Sequence, residues 1–145
     1  MHVQIQASIP NPMDVLQAES LAAVLAARIS AFLRMQQITF MTDSEKIVKC
    51  FDAYRNTHNI SDWKLRPLIA EFQAGHDLQH ISVLKISRSS NRLADSIAKQ
   101  ARQVSPLGPC LFSCQATHSS NQCYILQSLC SFNWGYFSPL SVICS

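Results

Sequence analysis

Glycine is nearly missing from this 145-residue chain, which contains only Gly75, Gly108 and Gly135. A loop that cradles phosphate needs closely spaced glycines so that the backbone can approach the ligand, and that class of nucleotide site is therefore excluded. Charge is missing from a whole region. All twelve Lys and Arg and all nine Asp and Glu fall between Asp14 and Arg102, and none lies from Gln103 to Ser145. The net charge of +3 is too small to argue for a nucleic-acid partner by itself. The opening MHVQIQASIPNPMD has neither a basic start nor an unbroken apolar run. It does not read as a secretory signal, so an intracellular chain with reduced thiols is expected.

What is present divides unevenly. The length suits one domain with a substantial core. Five of the six cysteines, Cys110, Cys114, Cys123, Cys130 and Cys144, crowd into the uncharged tail. The Ser-Pro-Leu-Gly-Pro run at 105–109 marks the composition break, giving a segment 1–104 and a Cys/Ser-rich tail 105–145. Apolar residues in the tail keep no single period, and no structure is assigned to it. Residues 124–144 approach the ~20 apolar residues of a membrane span, but Gln127, Asn133, Gly135 and Pro139 interrupt them and no span is expected.

Along 1–104, Val3, Ile5, Ala7 and Ile9 alternate with polar residues, which predicts a strand with one buried face. Asn11 with Pro12 predicts a helix start, and the helix continues to about residue 34. Leu16, Ala23, Ala26, Ala27, Ser30 and Leu33 form its stripe, widened by Val15, Ala22, Ile29 and Phe32, with alanines suited to close packing on a sheet. Residues 38–41 predict a buried strand. A helix is expected over 44–54, then a loop over 55–59. Ser61 or Asp62 starts another helix carrying Trp63, Leu65, Leu68, Ile69 and Phe72 and stopped by Gly75. A strand over 80–86 and a helix from Ser89 or Ser90 to about 104, with Leu93, Ile97 and Ala101 inward, complete an α/β order of β-α-β-α-α-β-α. Thr42 to Glu45 has the spacing of a capping box, and Asp43 or Ser44 could cap equally well.

Three acids stand in unusual places. Glu19 lies on or beside a packing stripe, Asp43 just beyond a strand end, and Asp95 in the first turns of the last helix. Sites in open α/β sheets gather at the carboxyl ends of strands. Acids that converge there repel unless cations sit between them, and hard dications such as Mg2+ prefer carboxylate oxygens. Each acid also has an ordinary alternative: surface charge for Glu19, a cap for Asp43, a helix-dipole partner for Asp95.

Three motifs resemble those of a known family. Gln17-Ala-Glu-Ser-Leu-Ala22, Phe40-Met-Thr-Asp-Ser44 and Arg88-Ser-Ser-Asn-Arg-Leu-Ala-Asp-Ser-Ile-Ala-Lys99 are similar, in order and spacing, to the ribonuclease H-like domain of the plant type, related to retroelement reverse transcriptases. Trp63-Lys-Leu-Arg-Pro-Leu-Ile69 fits the helix between. The resemblance implies a mixed sheet flanked by helices and an endonuclease that hydrolyses the RNA strand of RNA–DNA hybrids. It further implies that Glu19 and Asp43 share one Mg2+ (or Mn2+) ion and that Asp95 holds a second. Arg88, Asn91, Arg92 and Lys99 would support the last helix or touch phosphate, and the 2′-hydroxyl would mark RNA. No small-molecule cofactor is implied.

The chain also departs from that family. No acid precedes Asp14, so the aspartate that bridges both ions on the family's first strand has no counterpart, and the first hairpin is expected to be missing. Lys85 stands where relatives often carry a histidine. Metal binding is therefore expected to be weakened and hydrolysis impaired, the alternative being a non-catalytic, retroelement-derived remnant that binds nucleic acid. In the tail, Cys110-x3-Cys114-x3-His118-x4-Cys123 has the ligand types of a zinc knuckle, but Cys114 is one place late and thiols without zinc are expected. No cysteine has a base and orienter in sequence, and His58, His76 and His80 read as loop or surface residues.

Overall fold

The computed structural model describes residues 1–9, 11–60, 62–103, 109–116 and 120–145. In chain order they form β1 (Val3–Ser8), α1 (Val15–Phe32), β2 (Ile38–Thr42), α2 (Glu45–Thr57), α3 (Arg66–Gly75), β3 (Ile81–Lys85), α4 (Arg92–Ala101), β4 (Leu111–Cys114), α5 (Tyr124–Cys130) and β5 (Ser138–Cys144). The fold is α/β. The chain divides into two compact units, Asn11–Arg92 on one side and Met1–Pro10 with Leu93–Ser145 on the other. That division does not follow the composition break, whose residues 105–108 lie outside the described residues.

In the unit Asn11–Arg92, α1 starts at Asp14 rather than at Asn11. Asp14 Oδ1 accepts from Gln17 N–H at 2.8 Å, while Gln17 Oε1 accepts from Met13 N–H at 2.6 Å. Asn11 instead makes a left-handed turn, with φ 36°. Leu16, Ser20, Val24, Ala27 and Ser30 form the buried line of α1, whereas Val15, Ala22, Ala26 and Phe32 face out. The expected stripe was rotated because alanine does not distinguish the two sides of a helix. The buried serines bond to backbone carbonyls, Ser20 Oγ to Lys64 O at 3.3 Å and Ser30 Oγ to Ala27 O at 2.9 Å. By residue count and a mean hydropathy of 1.4, α1 could cross a bilayer, yet its buried line packs on α3.

Within this unit α1 therefore packs chiefly on the helix α3, where its alanines suggest a sheet. A Cβ on Gly75 would stand 2.7 Å from Ala31 Cβ. Gly75 closes α3 without left-handed geometry, and His76 after it is extended. Glycine is needed there for the approach of two helices and not as a stop. His76, read as a loop or surface residue, is half-buried, with Nε2 3.0 Å from Ser30 Oγ and 3.3 Å from Ala27 O.

β2 and β3 run parallel, in register from Ile38–Ile81 to Thr42–Lys85. They form a two-stranded sheet, so β2 is not the fully buried strand expected from its apolar run, and Met41 is 64% exposed. Phe40 turns inward, its ring 4.9 Å from that of Phe72, which meets Phe51 at 5.2 Å. Leu65, Leu68, Ile69 and Ile81 complete this core, while Trp63 lies outside it, more than half exposed. A 3-10 turn over Trp63–Leu65, capped by Asp62, leads into α3; Ser61 lies outside the described residues. α2 continues through the expected loop to Thr57 and ends at His58, whose φ of 54° gives a left-handed cap. Arg55 sustains that extension by donating to Leu78 O and Ile81 O at 2.6 and 2.8 Å.

In the other unit, the tail supplies the middle of a sheet. The strand order is β1-β5-β4, with β5 antiparallel to β1 and parallel to β4. Val142 and Cys144 of β5 are fully buried, as are Leu126 and Leu129 of α5 nearly so. Residues 124–144 are therefore a short helix, a turn and a strand. α4 begins at Arg92, later than expected, because Ser87–Asn91 is a serine-laced turn in which Ser87 Oγ lies 2.8 Å from Ser89 Oγ and 2.9 Å from Ser90 Oγ. Ala101 is buried, but Leu93 is 57% exposed.

Candidate functional site: a cleft at the carboxyl ends of two parallel strands

β2 and β3 end side by side. Ile86 N–H donates to Thr42 O at 2.9 Å, which extends the pairing one step beyond the strands. The chain then leaves β2 through Asp43 and β3 through the turn Ser87–Asn91. The ends of parallel strands are where open α/β sheets collect sites, because the departing loops splay apart and leave polar backbone facing the gap. The gap here is an open cleft of about 510 Å3, lined by Glu19, Asp43, Glu45, Lys46, Lys85 and Arg88, with Ser44, Ile86 and Ser87 between them.

Asp43 does not cap α2. Ser44 is the N-cap residue and makes no side-chain cap bond; Thr42 Oγ1 accepts from Ser44 N–H at 3.1 Å, two residues on. The capping box from Thr42 to Glu45 is not formed, because Glu45 turns to Lys49 at 2.8 Å and Lys85 at 3.8 Å. These two ammonium groups, Lys49 foremost, hold the Glu45 carboxyl below its ordinary value. Asp43 is left free to face the cleft. Its Oδ1 accepts from Asn91 Nδ2 at 3.0 Å, and Arg88 Nε lies 3.9 Å from Oδ2. Arg88 is 94% exposed and Asp43 only 24%, so the amide orients the carboxylate while the guanidinium contributes a screened charge.

The structure brings together Glu19, Asp43, Arg88 and Asn91. Glu19 is half-buried on α1, and its side chain makes no hydrogen bond or ion pair among the described residues. Arg92 is exposed at the start of α4. Asp95 and Lys99 belong to the other unit, where they pair with each other at 2.7 Å, one turn apart on α4 and both largely exposed. Sequence reasoning missed Lys46 and Glu45 as cleft residues. The signal was their position just after Asp43, at the first turn of a helix that starts at a strand end.

The donor set does not fit the two-ion centre expected from the resemblance. Two dications need an excess of carboxylate oxygens to hold them, but this cleft sets Lys46, Lys85 and Arg88 against Glu19, Asp43 and Glu45. Among the described residues, the one group of three His, Cys, Asp or Glu side chains with ligand atoms within 4.8 Å of one another is Cys114, Cys123 and Cys144. Cys110, part of the zinc-knuckle spacing, is not in that group, and His118 lies outside the described residues. What the cleft offers chemically is oriented charge: a carboxylate held by an amide, exposed cationic side chains and a row of serine hydroxyls beside it. Comparison with known proteins found no matching family model, no similar curated protein and no similar solved structure, so the reading of this site rests on its own residues.

Proposed function

We propose that the chain is a nucleic-acid-binding domain of the ribonuclease H-like type, of the plant form related to retroelement reverse transcriptases. Its cleft engages the backbone of an RNA–DNA hybrid and does not cleave it at an enzyme's rate. The observation that carries the reading is the Asp43–Asn91 hydrogen bond, which joins two motifs of the resemblance across 48 positions of chain. The parallel pairing of β2 with β3, and the opening of the cleft at their carboxyl ends, support it further. Lys46, Arg88 and Arg92 supply exposed charge for phosphate, and the serines of the Ser87–Asn91 turn supply hydroxyl donors. Hydrolysis is impaired because the cleft's acids are matched by its cations.

Fluorescence anisotropy with an RNA–DNA hybrid, and with duplex DNA and duplex RNA of the same sequence, tests the proposal. The expected result is hybrid binding that weakens as salt rises, falls again in Lys46→Ala and Arg88→Ala, and leaves the RNA strand intact in Mg2+ or Mn2+. Binding indifferent to salt and to both substitutions would remove the cleft as the nucleic-acid surface. Prompt Mg2+-dependent cleavage would remove the impairment.

A further inference from the structure

The proposed function leaves unused the three thiols Cys114, Cys123 and Cys144. Cys114 ends β4 and Cys144 ends β5, and the two are register partners across a parallel ladder. Paired positions on neighbouring strands project to the same face of a sheet, which places both sulfurs on one side. Cys123 immediately precedes α5, which packs on β4 and β5, and its sulfur closes the triangle from above. All three Sγ atoms lie within 4.8 Å of one another. No disulfide joins them. A single covalent bridge would need two sulfurs, whereas here three from separate elements converge.

We infer that Cys114, Cys123 and Cys144 form a binding site for one thiophilic d10 cation of the zinc class, held by three thiolates with a fourth position open. Soft thiolate sets select such ions over Mg2+ or Ca2+. Zinc accepts three protein ligands when a water or another donor completes its tetrahedron. Cys123 and Cys144 are 1% and 0% exposed, while Cys114 is half-buried, so the open position lies on the Cys114 side. Each thiol that coordinates loses its proton to solvent as its S–metal bond forms. Burial, followed by the neighbouring Cys123 and Cys114 sulfurs, pushes the Cys144 thiol up to about 11. The dication compensates the charge that burial otherwise forbids. The site differs from the zinc-knuckle spacing in the tail, since it uses Cys144 and omits Cys110.

Two measurements on the full-length, reduced chain test the inference. In the first, Co2+ is titrated as a spectroscopic stand-in for zinc and read by its thiolate charge-transfer and visible bands. One equivalent is expected, with the bands lost in Cys114→Ser and kept in Cys110→Ser, both variants checked for folding by circular dichroism. The second needs no variant. X-ray absorption of the zinc-loaded protein is expected to show three sulfurs at about 2.3 Å. The inference is overturned by less than one tenth of an equivalent bound to folded protein, by two or fewer sulfurs around zinc, or by bands that need Cys110 and survive loss of Cys114. A disulfide between any two of the three that persists in reductant would overturn it as well.

Discussion

Asn91 donates from Nδ2 to Asp43 Oδ1 at 3.0 Å, and this bond ties the loop that leaves β2 to the turn that leaves β3. The amide takes up one carboxylate oxygen and leaves the other toward the cleft and Arg88. Removing the donor should therefore loosen two chain exits together. A hydrogen bond to a charged group contributes about 1.5–3 kcal/mol when well buried, and the partial exposure of Asp43 lowers that, so Asn91→Ala is expected to cost about 1 kcal/mol in urea unfolding. Asn91→Asp should cost more, because it sets two carboxylates against each other. Adding Asp43→Asn to it should recover most of the loss, a reversal that would not occur if the two side chains acted independently.

Gly75→Ala should destabilise the unit Asn11–Arg92 although alanine is the better helix former. The added methyl would meet Ala31 Cβ at 2.7 Å, which forces α1 and α3 apart. Overpacking of this kind costs about 1–3 kcal/mol, against at most about 1 kcal/mol gained in helix propensity. Thermal unfolding of Gly75→Ala and of the double variant with Ala31→Gly distinguishes these terms, since the second change should restore the midpoint.

Phe72 is the hub of the larger core, with Phe40 at 4.9 Å and Phe51 at 5.2 Å, both edge to face. Truncating a buried aromatic costs about 3–5 kcal/mol. Phe72→Ala should accordingly leave the unit largely unfolded at 37 °C, whereas Trp63→Ala, at an exposed position in the same apolar pattern, should change the midpoint little. Equal losses at the two sites would contradict the packing described.

The Asp14–Lys64 ion pair makes stability depend on pH at both ends of the scale. Lys64, and after it the Gln17 N–H, lower the Asp14 carboxyl, and the same pairing raises the Lys64 ammonium. The Asp14 contribution is complete above the unfolded carboxylate value of about 3.9 and disappears as pH falls through the lower folded value. The Lys64 contribution is complete below the unfolded value of about 10.4 and disappears as pH rises through the higher folded value. Asp14→Asn keeps a capping side chain and loses the charge. In melting curves at pH 2, 7 and 11 the variant's deficit against the parent should be largest at pH 7 and smaller at either extreme.

Element types were largely readable from residues 1–104, because periods of two and of 3.6 differ even in short runs. Val3 to Ile9, 38–41 and 80–86 do contain strands, and Leu65, Leu68, Ile69 and Phe72 are buried. What those patterns did not contain was the identity of the neighbours. The alanines of α1 fit a sheet or a helix equally well, and only Gly75 opposite Ala31 reveals which is present. Asp43 and Asn91 were both picked out as site residues, but their bond depends on β2 and β3 ending in register, which neither segment records locally. The tail was opaque for a related reason: Val142, Ile143 and Cys144 are apolar in succession, which hides the alternating burial of β5, and Cys144 meets Cys114 only through the pairing of β5 with β4.

The central position of β5 also sets an order of events in time. The unit Asn11–Arg92 is contiguous and can condense from nearby segments. The three-stranded sheet cannot, since Gln6 and Ser141, which meet across β1 and β5, are 135 positions apart. Closing so long a loop has an entropic cost that must be met before any contact compensates it, and non-local pairing of this kind slows folding. The pairing of β1 with β5 is therefore the late-forming contact, whereas β4, α5 and β5, which carry the three thiols, lie close together in sequence and can pair before β1 docks.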